Sequence, residues 1–250
     1  MYPGEQWQRL RAWLDANELQ RTPPRPCPYL PGQLASERAF LAESLHPETY
    51  HELMDRGFRR SGTMFYAADC ANCRRCIPIR VPVATFTPTR SQRRAWRKNA
   101  DVRVSFGDPE FTMPTFEMYR RYVRAQHGRT DDEDEGPASL HSSLYARVVD
   151  TIEATYSIGD RVVGKSLLDV CSRSVSAVYH FFDPEFGKRS LGVFSVLAEI
   201  EWTKSIGVPH YYLGYWIEGC AAMEYKANYG PHELLVDGQW RAVGSEPTAE

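Results

Sequence analysis

The sequence predicts an α/β protein of the α+β kind, two-lobed, in which mixed antiparallel sheets are covered by helices. Alternating β-branched and aromatic runs recur at residues 77–86, 102–106, 153–158, 161–170 and 174–182, and a period of two marks strands with one face buried. Segments of helical period lie between them, most clearly at residues 113–127 and 190–206. The acidic run Asp131, Asp132, Glu133, Asp134 and Glu135, followed by Gly136-Pro137, breaks the pattern and divides the chain into lobes at 1–130 and 138–240.

Taken in order, residues 4–20 form a helix with Trp7, Leu10 and Trp13 or Leu14 on one face. Residues 22–32 carry five prolines, which fix φ and remove amide donors, so this stretch is a rigid loop that holds Cys27 and Tyr29. Pro47 opens a helix that runs to about Arg56 and stops at Gly57. Residues 57–66 read as a hairpin arm. In the strand at 77–86, Ile77, Ile79, Val81 and Val83 share one face and Arg80 points to the other. Ser91 to Asn99 is a short helix on which Arg90, Arg93, Arg94 and Arg97 crowd one side, joined by Lys98. Met113 to His127 is amphipathic, with Phe116, Tyr119 and Val123 inward. Strands at 153–158 and 161–170 are joined by a Gly159-Asp160 turn, a third strand ends at Asp183-Pro184, and a buried helix follows from Ser190 to Ile206. Strands at 210–213 and 233–236 complete the order strand–strand–strand–helix–strand–strand, which is that of a GNAT-type acyltransferase core.

A chain of 250 residues with 42% apolar and 25% charged residues supports a core of ordinary size. The net charge of −2 gives no global field for DNA, yet the cations of residues 90–103 form a local basic stretch suited to RNA phosphates. No apolar run reaches the length of a membrane span, and the first residues lack the apolar segment of a signal peptide, so a cytoplasmic setting without membrane contact is expected. The run Cys70-x-x-Cys73-x-x-Cys76, together with Cys27, offers four thiolates. This set suits a tetrahedral zinc ion or an iron–sulfur cluster, and equally a group of reduced thiols lining a pocket; spacing does not choose among them.

In GNAT acetyltransferases a glycine loop entering the main helix binds pyrophosphate on backbone amides. The corresponding stretch here is Arg189-Ser-Leu-Gly192-Val-Phe194, where Phe194 replaces a small residue, and this argues for an acyl donor other than coenzyme A. Cys27-Pro-Tyr-Leu-Pro31, Gly57-Phe-Arg-Arg-Ser-Gly62, the cysteine run to Arg80 and Ser91-Gln-Arg-Arg94 resemble the N-terminal half of the aminoacyl-tRNA–protein transferases. Phe181-Phe-Asp-Pro184, Arg189-Ser-Leu-Gly192, Tyr212-Leu-Gly-Tyr-Trp-Ile217 and Tyr225-Lys-Ala-Asn-Tyr229 resemble the C-terminal half. The length is similar to that of the bacterial leucyl branch rather than the longer eukaryotic arginyl branch. Tyr66-Ala-Ala-Asp69 departs from the Tyr-Arg-Pro expected before the cysteine run.

The resemblance implies tRNA-dependent transfer of leucine to proteins with N-terminal Asp or Glu, which marks them for N-degron proteolysis. The implied partners are leucyl-tRNA and those proteins, and the chemistry requires no cofactor. Attack of an α-amine on an ester needs a proton acceptor, stabilisation of the oxyanion and return of a proton to the ribose. Candidate catalytic residues are Asp183 to hold or deprotonate the amine, Tyr179 and Tyr215 to polarise the carbonyl or relay the proton, and Lys226 for phosphate or oxyanion. Candidates for the acidic side chain are Arg80 foremost, then Arg75 and Arg60, because arginine binds carboxylates bidentately. Arg90, Arg93, Arg94, Arg97 and Lys98 are the candidates for tRNA. Three alternatives remain: transfer of arginine, a coenzyme A-dependent acetyltransferase, and a non-catalytic zinc-knuckle RNA-binding module.

Overall fold

The computed structural model describes residues 3–16, 19, 21–128 and 136–243. Helix α1 (Pro3–Ala16) precedes the proline-rich segment, whose regular structure is the short antiparallel pair β1 (Arg25–Pro26) and β2 (Leu34–Ala35). Strand β3 (Glu37–Leu41), helix α2 (Pro47–Met54) and the hairpin of β4 (Arg59–Ser61) and β5 (Met64–Ala68) come next. β5 pairs with both β3 and β4 in a small antiparallel sheet. The hairpin turns at Gly62, φ +57°, where any Cβ would collide with the Ser142 carbonyl, so both conformation and space demand glycine.

There follow β6 (Ile77–Pro82), α3 (Arg90–Lys98), β7 (Val102–Gly107), α4 (Met113–His127) and α5 (Pro137–Leu144). Next come β8 (Thr151–Ile158), β9 (Arg161–Val170), β10 (Ser174–Phe182), a 3-10 turn at Pro184–Arg189, and α6 (Leu191–Ser205). The last described elements are β11 (His210–Trp216), α7 (Ala221–Glu224), a second 3-10 turn at Tyr225–Asn228, and the hairpin of β12 (His232–Val236) and β13 (Gln239–Val243). The order from β8 to β12 is the GNAT-type order read from the sequence.

One eight-stranded sheet dominates, in the order β13-β12-β6-β11-β10-β9-β8-β7. Each of its neighbouring pairs is antiparallel except β10 and β11. The sheet crosses the boundary drawn at the acidic run, which itself lies outside the described residues. β6 and β7, both from the first half, share the sheet with β8 to β13. The physical reason is visible in β6: Ile79 and Val81 are fully buried in the core under α6, a burial that only a strand between two neighbours achieves. α5 begins where the sequence reads as a loop, because Gly136 is its N-cap and Pro137 its first residue, a place that needs no amide donor.

Alternation along the strands assigns the two faces. Val175, Tyr211, Phe182, Ile79 and Val81 pack with α6 in the largest core cluster. Helix α6 is buried on nearly every side, and it accordingly carries no broad polar stripe. Tyr212 and Tyr215 face the opposite side, with α2, the small sheet and the cysteine run, while Tyr179 packs with Phe116 of α4 and Leu140 of α5.

The small sheet is tied to the large one by a fully buried ion pair. Arg60 Nε donates to Asp169 Oδ2 at 2.6 Å and Nη2 donates to Thr151 Oγ1 at 3.0 Å, and both charged side chains are 0% exposed. Arg60 is thus committed to the fold rather than available to a substrate. Arg60→Ala strands a buried carboxylate, so the unfolding free energy should fall by about 3–5 kcal/mol. Urea denaturation reads this directly, and a loss under about 1 kcal/mol would contradict it.

Candidate active site

β10 and β11 run parallel and pair over three residues only, Ser174–Ser176 against His210–Tyr212. Both strands then bend. β10 shifts register against β9 between Ala177 and Tyr179, and β11 shifts against β6 between Tyr212 and Gly214. Bulges bend the strands that carry them, and here two of them open a gap between the parallel strands. Main-chain acceptors at the gap are taken by cations instead. Arg59 of β4 donates from Nη1 to Ser176 Oγ at 2.9 Å and from Nη2 to Ala177 O at 2.6 Å. Gly214, φ +87°, admits the guanidinium; a Cβ there would lie 3.3 Å from Nη2. On the other wall Lys226 Nζ donates to Tyr215 O at 2.9 Å and lies 3.4 Å from Met223 Sδ. Neither Arg59 nor Lys226 meets a carboxylate among the described residues.

A buried lysine beside an arginine, without an anion, is electrostatically costly. Burial first, and then the Arg59 charge, lower the Lys226 ammonium to about 7. Tyr215 stands beside it, donating to Gly57 O at 2.8 Å and accepting from Ala68 N at 3.3 Å, with burial pushing its hydroxyl well up. Burial likewise pushes Tyr29 up to about 12. The tyrosines here are therefore neutral hydrogen-bonding groups at physiological pH.

The cysteine run lies against the same wall. Cys27, Cys73, Cys76 and Cys220 pack with Leu30, Tyr66, Tyr215 and Ile217. The thiols are neighbours, and burial, followed by the charges of Cys70, Cys27 and Cys73, pushes Cys76 up to about 12. Cys70 Sγ faces Ser36 O at 3.7 Å, and Cys27 Sγ accepts from Leu30 N at 3.4 Å. Among the described residues no three His, Cys, Asp or Glu side chains converge to hold a metal ion. As placed, the four cysteines do not fit the zinc or iron–sulfur set that their spacing allows, and no step of the chemistry is derived through such a group.

The other candidates separate clearly. Asp183 sits at the end of β10, 3% exposed, and caps the 3-10 turn by accepting from Glu185 N at 3.2 Å. Arg161 and Arg121 hold it at 2.8 and 3.1 Å. Burial would raise its carboxyl, but the Arg161 hydrogen bond, the Glu185 amide and the two guanidinium charges outweigh this and hold it below the ordinary carboxylate range. Tyr179 lies on the α4 side, its ring against those of Tyr119 and Phe181. Arg80 is engaged on the far side of β6. It donates to Glu233 Oε2 at 2.6 Å and to Tyr212 Oη at 2.9 Å, approaches Asp55 at 3.5 Å, and stacks 4.2 Å from the Trp240 ring. Arg75 is exposed beside Gly219. The structure thus brings Tyr215 and Lys226 together, and adds Arg59, which the sequence reading passed over. Its signal was its adjacency to Arg60: on a strand, two successive arginines face opposite sides.

On the α6 side of the gap, α3 presents Arg90, Arg93, Arg94, Arg97 and Lys98 to solvent, while Gln92 and Ala95 are buried. Thr89 and Gln92 form a capping box, and Gln92 Nε2 donates to Asn228 O at 3.0 Å, so the helix is fixed to the second 3-10 turn. Arg189 ties the helix's end to the first 3-10 turn through Asn99 Oδ1 at 3.1 Å. Between these elements lies a cavity of about 600 Å³ lined by Arg94, Lys98, Ser190, Val193, Tyr225 and Tyr229, a volume that suits a nucleotide-sized ligand. Phe194 does not crowd the mouth of this cavity. It is buried between Trp96 and Tyr156, at ring distances of 5.2 and 6.2 Å.

Comparison with known proteins identifies the family. The family described as "Arginine-tRNA-protein transferase, N terminus" matches residues 25–94, and "Arginine-tRNA-protein transferase, C terminus" matches residues 114–236. The chain is 37% identical over 245 residues to an aspartate/glutamate leucyltransferase of Thiobacillus denitrificans, covering 97% of this chain and 99% of that one. It is 40% identical over 231 residues to the protein of the same name from Saccharophagus degradans, covering 90% and 98%, and 35% identical over 226 residues to that of Hahella chejuensis, covering 89% and 95%. Two matched halves spanning the gap, and relatives matched nearly end to end, lead to one conclusion: the chain is a transferase and belongs to the arginine-tRNA–protein transferase family.

Proposed function

We propose that this transferase moves leucine from leucyl-tRNA to the α-amine of proteins that begin with Asp or Glu, and so marks them for N-degron proteolysis. The observation that carries this reading is the pair of basic side chains, Arg59 and Lys226, set in the gap between β10 and β11 without a carboxylate among the described residues. An acidic side chain entering from the small-sheet face pairs with the Arg59 guanidinium, which suits bidentate binding, and favours the protonated form of Lys226. Leucyl-tRNA enters from the opposite face, its backbone along the exposed cations of α3 and its terminal nucleotide in the cavity beside Tyr225. The gap then holds amine and ester together, and such positioning lowers the barrier by several kcal/mol. In this arrangement Tyr215 orders the wall beside Lys226, and Asp183, neutralised by two arginines, fixes the end of β10 rather than taking a proton.

Purified protein supplied with leucyl- or arginyl-tRNA and peptides beginning with Asp, Glu, Lys or Ala should place leucine on the acidic peptides alone. Arginine on the same peptides, without leucine, would refute the donor. Arg59→Ala should lower kcat/KM for an Asp peptide on the order of 100-fold, the cost of a lost charged hydrogen bond, with leucyl-tRNA affinity unchanged. Reversing charge at Arg94 and Arg97 should weaken tRNA binding and flatten its salt dependence; an unaltered salt slope would remove α3 from the interface.

Lys226 also gives the fold a pH signature. Its pKa is depressed from 10.5 to about 7. Between these values the unfolded chain binds the extra proton, so native stability rises with pH across that window. Urea unfolding of the wild type relative to Lys226→Met should show this rise, and a flat difference would mean that the amine stays charged in the folded protein.

A further inference from the structure

Apart from the cations, a buried chain of polar side chains crosses the α6 face of the sheet at the root of the gap. Tyr156 Oη of β8 donates to Glu199 Oε1 of α6 at 2.7 Å, and Tyr211 Oη of β11 donates to Glu199 Oε2. Ser166 Oγ of β9 lies 3.3 Å from Tyr156 Oη and 2.8 Å from His180 Nδ1 of β10. Beyond this chain, His180 Nε2 is buried and has no hydrogen-bond partner. Buried polar atoms are nearly always paired in native structures, so an open one at a gap invites a ligand.

The chemistry of the chain sets its direction. Glu199 accepts from both tyrosine hydroxyls, which leaves the Tyr156 oxygen as an acceptor for the Ser166 hydroxyl. The Ser166 oxygen then accepts from His180, so Nδ1 carries the ring proton and Nε2 presents a bare lone pair. The position matters as much. His180 lies beyond Ser176, in the part of β10 that has left β11 and pairs with Ser166 of β9 alone, whereas Tyr211 stands opposite Val175 where the strands still pair.

We propose that His180 Nε2 is the proton acceptor for the incoming α-ammonium, with Ser166, Tyr156 and Glu199 as positioning residues that fix its tautomer. This role rests on the transfer reaction proposed above. One ammonium proton passes to Nε2, and the freed amine nitrogen bonds to the ester carbonyl carbon. As the carbon–oxygen bond to the ribose breaks, Nε2 returns its proton to the ribose oxygen. A second proton leaves the nitrogen to solvent as the amide forms, and no other reactant is needed. Burial lowers the His180 imidazole to about 4, so the ring stands neutral before the amine enters and holds the proton only in passing. A neutral ring on the α6 face also spares the ammonium the repulsion it would meet beside Arg59 and Lys226.

His180→Asn retains a donor for Ser166 and removes the Nε2 lone pair. With saturating leucyl-tRNA and an Asp peptide, kcat should fall about 100-fold, with both KM values and the Tm unchanged. Imidazole should restore about tenfold of the activity lost in His180→Gly, a rescue that a packing role would not give. A kcat for His180→Asn within about threefold of wild type, or a loss without imidazole rescue, would overturn the role. Should His180 variants fail to fold, Ser166→Ala provides the test. A kcat loss of about tenfold at unchanged KM supports the relay, and wild-type kinetics overturn it. Failure of the wild type itself to transfer leucine would overturn the reaction and this role together, whereas failure confined to the variants' predicted behaviour overturns the role alone.

Discussion

The site depends on what becomes of backbone groups where two parallel strands part. A main-chain carbonyl that loses its ladder partner inside a protein needs another donor. Here Ala177 O takes its donor from Arg59 and Tyr215 O takes its donor from Lys226. The same substitution lines the gap with cations, so that the groups satisfying the backbone also set the charge of the gap. Gly214 and the register shifts at Ala177 and Tyr212 are the local devices that let the guanidinium reach the backbone.

The sheet separates two environments. The α6 face offers hydroxyls, an imidazole and the basic helix α3, whereas the small-sheet face offers two cations, thiols and tyrosines. A gap in the sheet is the one place where molecules approaching from opposite faces touch. A reaction between a large anionic polymer and a protein chain end is suited to such a layout, because neither substrate needs to displace the other.

Much of the frame was legible. Apolar spacing gave α4 its bounds, and alternation placed Ile79 and Val81 opposite Arg80. What decided the site was not legible, because it depends on partners remote in sequence. Period two says that Arg59 and Arg60 point opposite ways, but only Asp169, 109 residues away, settles which of them is buried. Arg80 reads as available until Glu233 and Asp55 are seen around it. Asp183 reads as a base until Arg121 and Arg161 close on it. The gap itself comes from two bulges, and no residue type announces them. The cysteine spacing is conspicuous, yet spacing along the chain does not fix where the sulfurs point.

The place of β6 has a consequence for biosynthesis. This strand is made well before its neighbours in the sheet, β11 and β12: Arg80 and its partner Tyr212 are 132 residues apart in the chain. Until then Ile79 and Val81 have no apolar face to enter, and both edges of the strand lack partners. The centre of the sheet therefore closes only once β11 and β12 have been made, a topology of long-range contacts that folds slowly and leans on protection of the nascent chain. For the same reason the two halves matched by the family are not independent folding units: each, severed from the other, would expose an unpaired strand edge to aggregation.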